Sequence, residues 1–333
     1  FAVFAAIPAV ADDGDAATIP SEDPLKDMYA SSEMTYEKST GVYTLSKNTT
    51  VTLTKDVTLS QVTFTGAFTL TFKSADGNKL TYTYDVADPE NQSTLFAVSK
   101  IVFDNVDADM DILASSKSEN ATAIDNNKAK WYVFADDVEI KAATVTISES
   151  SYNGRVCGGN TVLTMADKDA KLVLDGANSF TLTAKLSKGA TIQIKNPNFS
   201  AGNIYGEMDG ANIIVTGAEG KNLNLYMNDV GNENSSEIKN TMITTDGTVA
   251  LYTHSQQVLD ATGTTIEAKK IFISKISQGD NATIKGATID ASSIETDSSN
   301  AGTLTLTDVT IAGTTEIAAG LTVTVDSSAV IAK

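Results

Sequence analysis

The sequence predicts an all-β protein, and three features of its pattern support this. From Gly41 onward, apolar residues alternate with Thr and other polar residues at the period of two that a β-strand requires. The β-branched residues Val, Ile and Thr dominate these runs, as they do in strands. Turn residues, mainly Gly and Asn, interrupt the runs roughly every ten residues, and no helical 3.6-residue stripe appears.

The chain divides into four predicted parts. Residues 1–11 form an apolar N-terminal strand, residues 12–40 a linker or cap, residues 41–95 a β-rich part, and residues 96–333 the main body. In the β-rich part, Asp76-Gly-Asn separates two runs of alternating residues. Asp-Gly between two such runs is a hairpin signal, so we expect an antiparallel region near the N-terminus.

The main body repeats short apolar strands at uneven intervals, separated by Gly and Asn turns. Examples are residues 101–103, 145–147, 172–174, 192–194 and 213–215. Few aromatics and low complexity without a strict period predict a parallel β-solenoid, in which each coil covers the next. Tandem β-sandwiches are the alternative, because they produce the same alternation.

This pattern resembles the right-handed parallel β-helix surface proteins, which include adhesin-like proteins, autotransporter-type passengers and related cell-envelope proteins. The resemblance is compositional, and it covers roughly residues 96–333 of this sequence. It implies an extracellular, cell-surface protein whose stacked strands form a stiff body.

Charge and composition exclude several classes of function. The chain carries 42 acidic and 24 basic residues, a net charge of −18, so nucleic acid and anionic membrane surfaces are poor partners. Arg155 is the only arginine, which argues against a site for anionic substrates. One cysteine, Cys157, cannot make an intramolecular disulfide, and with one histidine, His254, it cannot supply the ligands of a thiolate zinc site. We therefore expect no enzyme activity and no resident cofactor.

The apolar N-terminal segment is the strongest local signal. Its end, Ala9-Val-Ala, has the small-x-small form of a secretory cleavage site, which predicts the remnant of a signal peptide. Alternatively it is a strand that adds to the sheet of a neighbouring subunit, or a strand within its own chain. It is too short to cross a bilayer as a helix, and Pro8 interrupts it. The predicted assembly residues are Phe1, Val3, Phe4, Ile7 and Val10.

One acidic row is a candidate metal site. Asp107, Asp109 and Asp111 alternate with apolar residues and so share one strand face. A solvated acidic face is the simpler interpretation, and a calcium site completed by a neighbouring loop is the alternative. An EF-hand is excluded, because Ile112 and Ser118 stand where that loop needs Gly and Glu.

These observations predict a structural subunit of an extracellular surface polymer, such as a filament, sheath or surface layer. Copies of the same chain would be its partners, joined through residues 1–11. The alternative is a monomeric surface adhesin or carbohydrate-binding protein whose partners are cell-surface glycans. A polysaccharide lyase or hydrolase is a third class, which would need a carboxylate cluster with Arg, Lys or His.

Overall fold

The computed structural model describes most of the chain, with gaps between the strands. The described ranges are residues 18–86, 93–113, 131–134, 136–149, 154–157, 161–176, 181–197, 202–226, 235–252, 257–274, 281–296, 302–317, 321–326 and 330–331. Within these ranges the regular structure consists of β-strands, and there is no helix. The predicted all-β class is therefore confirmed.

Thirty strands follow one another along the described chain. The first ten are β1 (Met34–Glu37), β2 (Val42–Leu45), β3 (Thr49–Thr52), β4 (Val57–Ser60), β5 (Thr63–Lys73), β6 (Leu80–Asp85), β7 (Ser93–Asp104), β8 (Ala108–Leu113), β9 (Trp131–Phe134) and β10 (Asp137–Lys141). The next ten are β11 (Thr144–Glu149), β12 (Gly154–Cys157), β13 (Val162–Met165), β14 (Lys171–Asp175), β15 (Thr181–Ser187), β16 (Thr191–Lys195), β17 (Asn203–Asp209), β18 (Asn212–Thr216), β19 (Asn222–Tyr226) and β20 (Ser235–Lys239). The last ten are β21 (Met242–Tyr252), β22 (Gln257–Asp260), β23 (Thr265–Ser274), β24 (Asn281–Lys285), β25 (Thr288–Thr296), β26 (Thr303–Thr307), β27 (Thr310–Ile311), β28 (Glu316–Ile317), β29 (Thr322–Val325) and β30 (Val330–Ile331).

The strands stack in three parallel ladders, and the chain visits the ladders in turn. Ladder 1 starts at β2, continues through β9, β12 and β19, and ends at β28. Ladder 2 starts at β3, continues through β10, β13, β20, β22, β24 and β26, and ends at β29. Ladder 3 starts at β4, continues through β6, β8, β11, β14, β16 and β18, and ends at β27 and β30.

Seven long strands bend and serve two ladders each. The strands β5, β7, β15 and β17 cross from ladder 1 to ladder 2. The strands β21, β23 and β25 cross from ladder 3 to ladder 1. A set of three ladders wound by one chain is a β-solenoid, so the predicted fold is confirmed.

The core is a column of apolar side chains that point inward from every ladder. Along ladder 3, for example, Ile192, Ile213, Ile243, Ile266 and Ile289 occupy equivalent positions on successive coils, and each is at most 1% exposed. Their outward neighbours along the strands are mainly Thr, Asn, Gln and charged residues. This alternation is why the sequence pattern has period two.

The corner between ladders 2 and 3 has a repeated local structure. A residue with positive φ is followed by a small or β-branched residue that is at most 2% exposed. The pairs are Asn105–Val106, Ala142–Ala143, Gly189–Ala190, Gly210–Ala211, Asn240–Thr241, Gly263–Thr264, Gly286–Ala287 and Asp308–Val309. The left-handed residue turns the chain, and the small residue fits the narrow corner of the core.

An antiparallel pair near the N-terminus is confirmed, but it does not form at the predicted turn Asp76-Gly-Asn. The antiparallel pair is β1–β2, with Met34 opposite Leu45. The strands on either side of Asp76-Gly-Asn are β5 and β6, which belong to different ladders and pair in parallel with other strands. A turn at Asp76-Gly-Asn is present, as the sequence predicted. A corner of a solenoid needs a residue with positive φ just as a hairpin does, and Gly77 supplies it with φ of +72°.

The parallel stacking also runs through the predicted boundary between residues 95 and 96. Strand β7 spans that boundary and pairs with β5 on one side and with β9 and β10 on the other. In the described residues, no helix is long and apolar enough to cross a membrane.

Candidate assembly interface

The N-terminal end of the solenoid is closed by a cap formed by residues 18–37. Leu25, Met28 and Met34 are at most 7% exposed and belong to the same apolar core as the first coil. The strand β1 covers the free edge of β2, and the carbonyl of Met28 accepts a hydrogen bond from the Thr52 amide at 2.8 Å. These contacts bury both the apolar side chains and part of the backbone edge of the first coil.

A carboxylate holds the cap onto the first coil. Asp23 accepts hydrogen bonds from the Tyr29 hydroxyl at 2.6 Å, the Tyr43 hydroxyl at 2.5 Å and the Leu25 amide at 2.9 Å. Burial, the hydrogen bond to Asp23 and the charge of Asp23 all raise the pKa of Tyr29 and of Tyr43 far above the usual range. Both hydroxyls therefore stay protonated at neutral pH and donate to Asp23.

The C-terminal end of the solenoid is built differently. Among the described residues, no strand pairs with the outer edge of β28, β29 or β30. Ile317 is 44% exposed and Val325 is 43% exposed. Their register partners one coil earlier, Ile294 and Leu306, are at most 2% exposed. Among the described residues, the last coil thus presents core positions whose counterparts one coil earlier are buried.

The predicted assembly residues lie outside the described residues. These are Phe1, Val3, Phe4, Ile7 and Val10, all within residues 1–17. The chain that follows them enters at the cap, where Ile19 is 41% exposed and the Pro20 carbonyl accepts a hydrogen bond from the Tyr36 hydroxyl at 2.8 Å. The described part of the chain therefore begins beside the cap, and residues 1–11 precede it in the sequence.

Residues 12–17 are too few to place residues 1–11 on the last coil of the same chain. The six residues 12–17 extend at most about 20 Å. From β4 to β30, ladder 3 is roughly 50 Å long, given a strand spacing of about 4.8 Å. A strand formed by residues 1–11 can therefore reach the open last coil only on another copy of the chain.

The predicted acidic row lies on the outer face of ladder 3. Asp107, Asp109 and Asp111 are exposed, as the alternation predicts. Asp107 accepts a hydrogen bond from the Thr144 amide of the next coil at 2.8 Å, so it helps to fix a corner. Burial raises the pKa of Asp111 above its ordinary value. Within the described ranges, no group of three His, Cys, Asp or Glu residues could hold a metal ion, and calcium binding stays a prediction.

Ion pairs cross between coils on the outer surface. Lys73 in β5 lies 3.5 Å from Asp104 in β7, and Glu139 in β10 lies 2.5 Å from Lys100 in β7. Glu139 also contacts Lys141 of its own strand at 3.0 Å. Burial opposes ionisation of Glu139, but the hydrogen bonds and charges of the two lysines outweigh it and lower the pKa of Glu139. Partly exposed pairs of this kind add little stability, but they favour one register between coils.

Sequence reasoning missed the residues that define the two ends. Asp23 was assigned to a linker or cap with no role of its own, although Asp followed by Pro24 marks the ordered turn in which the structure places it. Ile317 and Val325 carry the same alternation as residues of interior coils. Their exposure depends on whether another layer follows, and no local pattern records that. Cys157 lies in β12, and His254 lies outside the described ranges.

No protein-family model matches this chain, and searches of curated proteins and of solved structures found no match either. The β-solenoid is thus established by the structure, whereas membership of the surface-protein group that the sequence resembles has no support from relatives.

Proposed function

We propose that the protein is a structural subunit of an extracellular surface polymer that assembles head to tail. Residues 1–11 of one copy would add a strand to the open last coil of the next copy. The difference between the two ends carries this proposal. The first coil is closed by Leu25, Met28 and Met34, whereas the last coil exposes Ile317 and Val325.

Strand addition fits the chemistry of both surfaces. No described strand pairs with the outer edge of β29, which carries the exposed Val325, and a strand edge of this kind pairs readily with an added strand. The N-terminal segment supplies apolar side chains that would cover Ile317 and Val325. Pro8 has no N–H, so it would have to lie where the added strand does not donate to the edge.

The geometry favours an open polymer rather than a closed dimer. The donor and the acceptor are different surfaces at opposite ends of an elongated body. A contact between unlike surfaces extends indefinitely unless its rotation closes a ring. The net charge of −18 would keep free subunits apart and soluble until the apolar segment docks. The small-x-small pattern at Ala9-Val-Ala supports secretion, and it also raises cleavage after Ala11 as a competing fate.

The test uses two variants, each of which lacks one half of the joint. Deletion of residues 1–11 removes the donor and keeps the acceptor. The double variant Ile317→Asp and Val325→Asp keeps the donor and places charges on the acceptor. We expect the unmodified chain to form filaments by light scattering and electron microscopy, and each variant alone to stay monomeric. Mixing the two variants should give one-to-one dimers, because only one joint can form.

A matched control separates docking from general surface charge. Val258 is 36% exposed on the side of ladder 2, so Val258→Asp adds a charge away from both ends and should leave polymerisation intact. Polymers formed by the chain without residues 1–11 would contradict the proposal. Failure of the two variants to form dimers would contradict it as well. Mass spectrometry of the secreted protein should find residues 1–11 retained.

A further inference from the structure

Differences in coil length are concentrated at the two corners beside ladder 1. Seventeen residues separate β8 from β9, before ladder 1, and eight separate β19 from β20, after it. At the corner between ladders 2 and 3, the separation ranges from two residues, as between β10 and β11 or β24 and β25, to six residues between β5 and β6. In repeat proteins, insertions gather on one face, which is often the binding face. Ladder 1 is the face that these insertions flank.

Half-buried aromatic side chains occur on the outer face of ladder 1. Tyr205 and Phe272 occupy outward positions there, next to the buried residues Ile204 and Ile271, and each is partly exposed. Among the side chains that the structure describes, the outward positions of ladders 2 and 3 hold mainly Thr, Lys, Asp and Glu, and no aromatic ring. Ladder 1 therefore differs from the other two faces in surface chemistry as well as in its insertions.

The strands β17, β19, β21 and β23 align these residues into rows. Asn203 pairs in register with Asn224, then Ala250, then Phe272. Asn224 Nδ2 donates to Asn203 Oδ1 at 2.7 Å, while the buried Asn224 Oδ1 accepts no hydrogen bond from the described residues. In the adjacent row, Tyr226 pairs in register with Tyr252. One coil earlier, Tyr205 directly follows Ile204, and Ile204 pairs with Leu225, the residue before Tyr226.

The charge of this face suits an uncharged ligand. Lys270 and Glu295 lie 2.7 Å apart on neighbouring strands of ladder 1 and neutralise each other. The remaining described side chains of these rows are amides, Thr, Ala and aromatic rings, so the patch is neutral on a protein with a net charge of −18. Aromatic faces pack against the apolar faces of sugar rings, and amides bond to hydroxyl groups. Neutral ligands avoid the repulsion that an acidic polysaccharide would meet.

We propose that the outer face of ladder 1 from β17 to β25 binds a neutral polysaccharide chain, with Tyr205 and Phe272 as stacking residues and Asn203 and Asn224 as hydrogen-bonding residues. The coil spacing of about 4.8 Å is close to the length of one sugar unit in an extended chain, so successive coils would meet successive units. This site is independent of the joint between subunits. It would attach the polymer, or a single subunit, to a cell-wall or mucosal glycan.

The test is affinity electrophoresis in gels that contain laminarin, mixed-linkage β-glucan or mannan, with polygalacturonate as the anionic comparison. The chain without residues 1–11 is run beside the full chain, so that binding is measured whether or not polymers form. We expect retardation by at least one neutral glycan and none by polygalacturonate. Tyr205→Ala and Phe272→Ala should each weaken binding roughly fivefold.

Thr305→Ala, on the outer face of ladder 2, is the matched control and should bind like the unmodified chain. Circular dichroism checks that each variant is folded. Absence of retardation by all three neutral glycans would overturn the proposal, as would unchanged binding by folded Tyr205→Ala and Phe272→Ala variants. Neither result would affect the polymer proposal, which the dimerisation of complementary variants tests separately.

Discussion

The N-terminal and C-terminal regions of the solenoid build the same coil from different residues. Between residues 43 and 134, the core under ladder 1 is a stack of rings, with centroids 4.8 Å apart for Tyr43–Phe64, 5.2 Å for Phe64–Phe96 and 5.7 Å for Phe96–Phe134. Between residues 249 and 294, inward positions of the same ladder hold Val249, Ile271 and Ile294. The rings stack at nearly the strand spacing of about 4.8 Å, so aromatic and aliphatic columns fit the same ladder.

The regions also differ in where the chain bends without a break. The N-terminal strands β5 and β7 continue from ladder 1 into ladder 2, whereas β21, β23 and β25 continue from ladder 3 into ladder 1. The corner between ladders 2 and 3 is common to both regions, with Asn105–Val106 in one and Gly286–Ala287 in the other. The corner between ladders 2 and 3 therefore stays constant along the solenoid, whereas the type of core residue and the structure of the other two corners vary.

The largest effect is expected in the aromatic column. Phe96 is 1% exposed and contacts Phe64, Tyr82 and Phe134, so Phe96→Ala should lower the free energy of unfolding by about 3–5 kcal/mol. Because each coil contacts only its neighbours, the loss should be local. Hydrogen exchange measured by mass spectrometry should show faster exchange in β5, β7 and β9 and little change beyond β21. Uniform acceleration would contradict the picture of separable regions.

The aliphatic column should tolerate truncation better. Ile271 is fully buried between Val249 and Ile294, and Ile271→Ala removes a smaller side chain than Phe96→Ala does. We expect a loss of about 2–4 kcal/mol in the free energy of unfolding, measured by urea denaturation. A larger loss than that of Phe96→Ala would show that the C-terminal coils are the more tightly packed region.

The shared corner can be tested with two glycines of similar backbone conformation. Gly286 and Gly220 both have φ of +73°, so an alanine at either position costs about 1 kcal/mol. At Gly286 the added Cβ would lie 2.7 Å from Thr262 Cα, whereas at Gly220 nothing lies within 4 Å. Gly286→Ala should therefore lower the free energy of unfolding by about 2 kcal/mol in total, and Gly220→Ala by about half of that. Equal melting temperatures for the two variants would contradict the importance of the corner.

The smallest effect is expected at alkaline pH and concerns the two tyrosines of the cap whose hydroxyls donate to Asp23. Tyr43 and Tyr29 bind their protons more tightly in the folded protein than in the unfolded chain, where the pKa is about 10. Their contribution to stability is complete below about pH 10 and falls as the pH rises above that value. Urea denaturation can be measured between about pH 8 and pH 11. Above pH 10, the free energy of unfolding should fall by about 1 kcal/mol per pH unit for each of these two tyrosines. The free energy of unfolding of the Tyr43→Phe variant should fall less steeply with pH than that of the unmodified chain. Identical slopes for the two proteins would contradict the role of Tyr43.

Much of the solenoid was predictable because its residues follow local rules. Alternation placed Val145 and Ile147 inside and Asp109 and Asp111 outside, as the structure shows. The three-ladder arrangement was not predictable, because Gly77 and similar turn residues serve hairpins and solenoid corners equally. The exposure of Ile317 was not predictable either, since Ile317 looks like Ile294 in sequence and differs only in having no described strand stacked on its other side.

The hydrogen bonds between coils have a mechanical consequence. They run along the solenoid axis, as in the bonds from the Asn105 amide to the Lys141 carbonyl and from the Gly286 amide to the Thr307 carbonyl. Tension applied end to end would load them one coil at a time, because each coil is held mainly by its two neighbours. A pulled molecule should therefore lengthen in small successive steps of coil peeling, absorbing work at each step, instead of rupturing in one event.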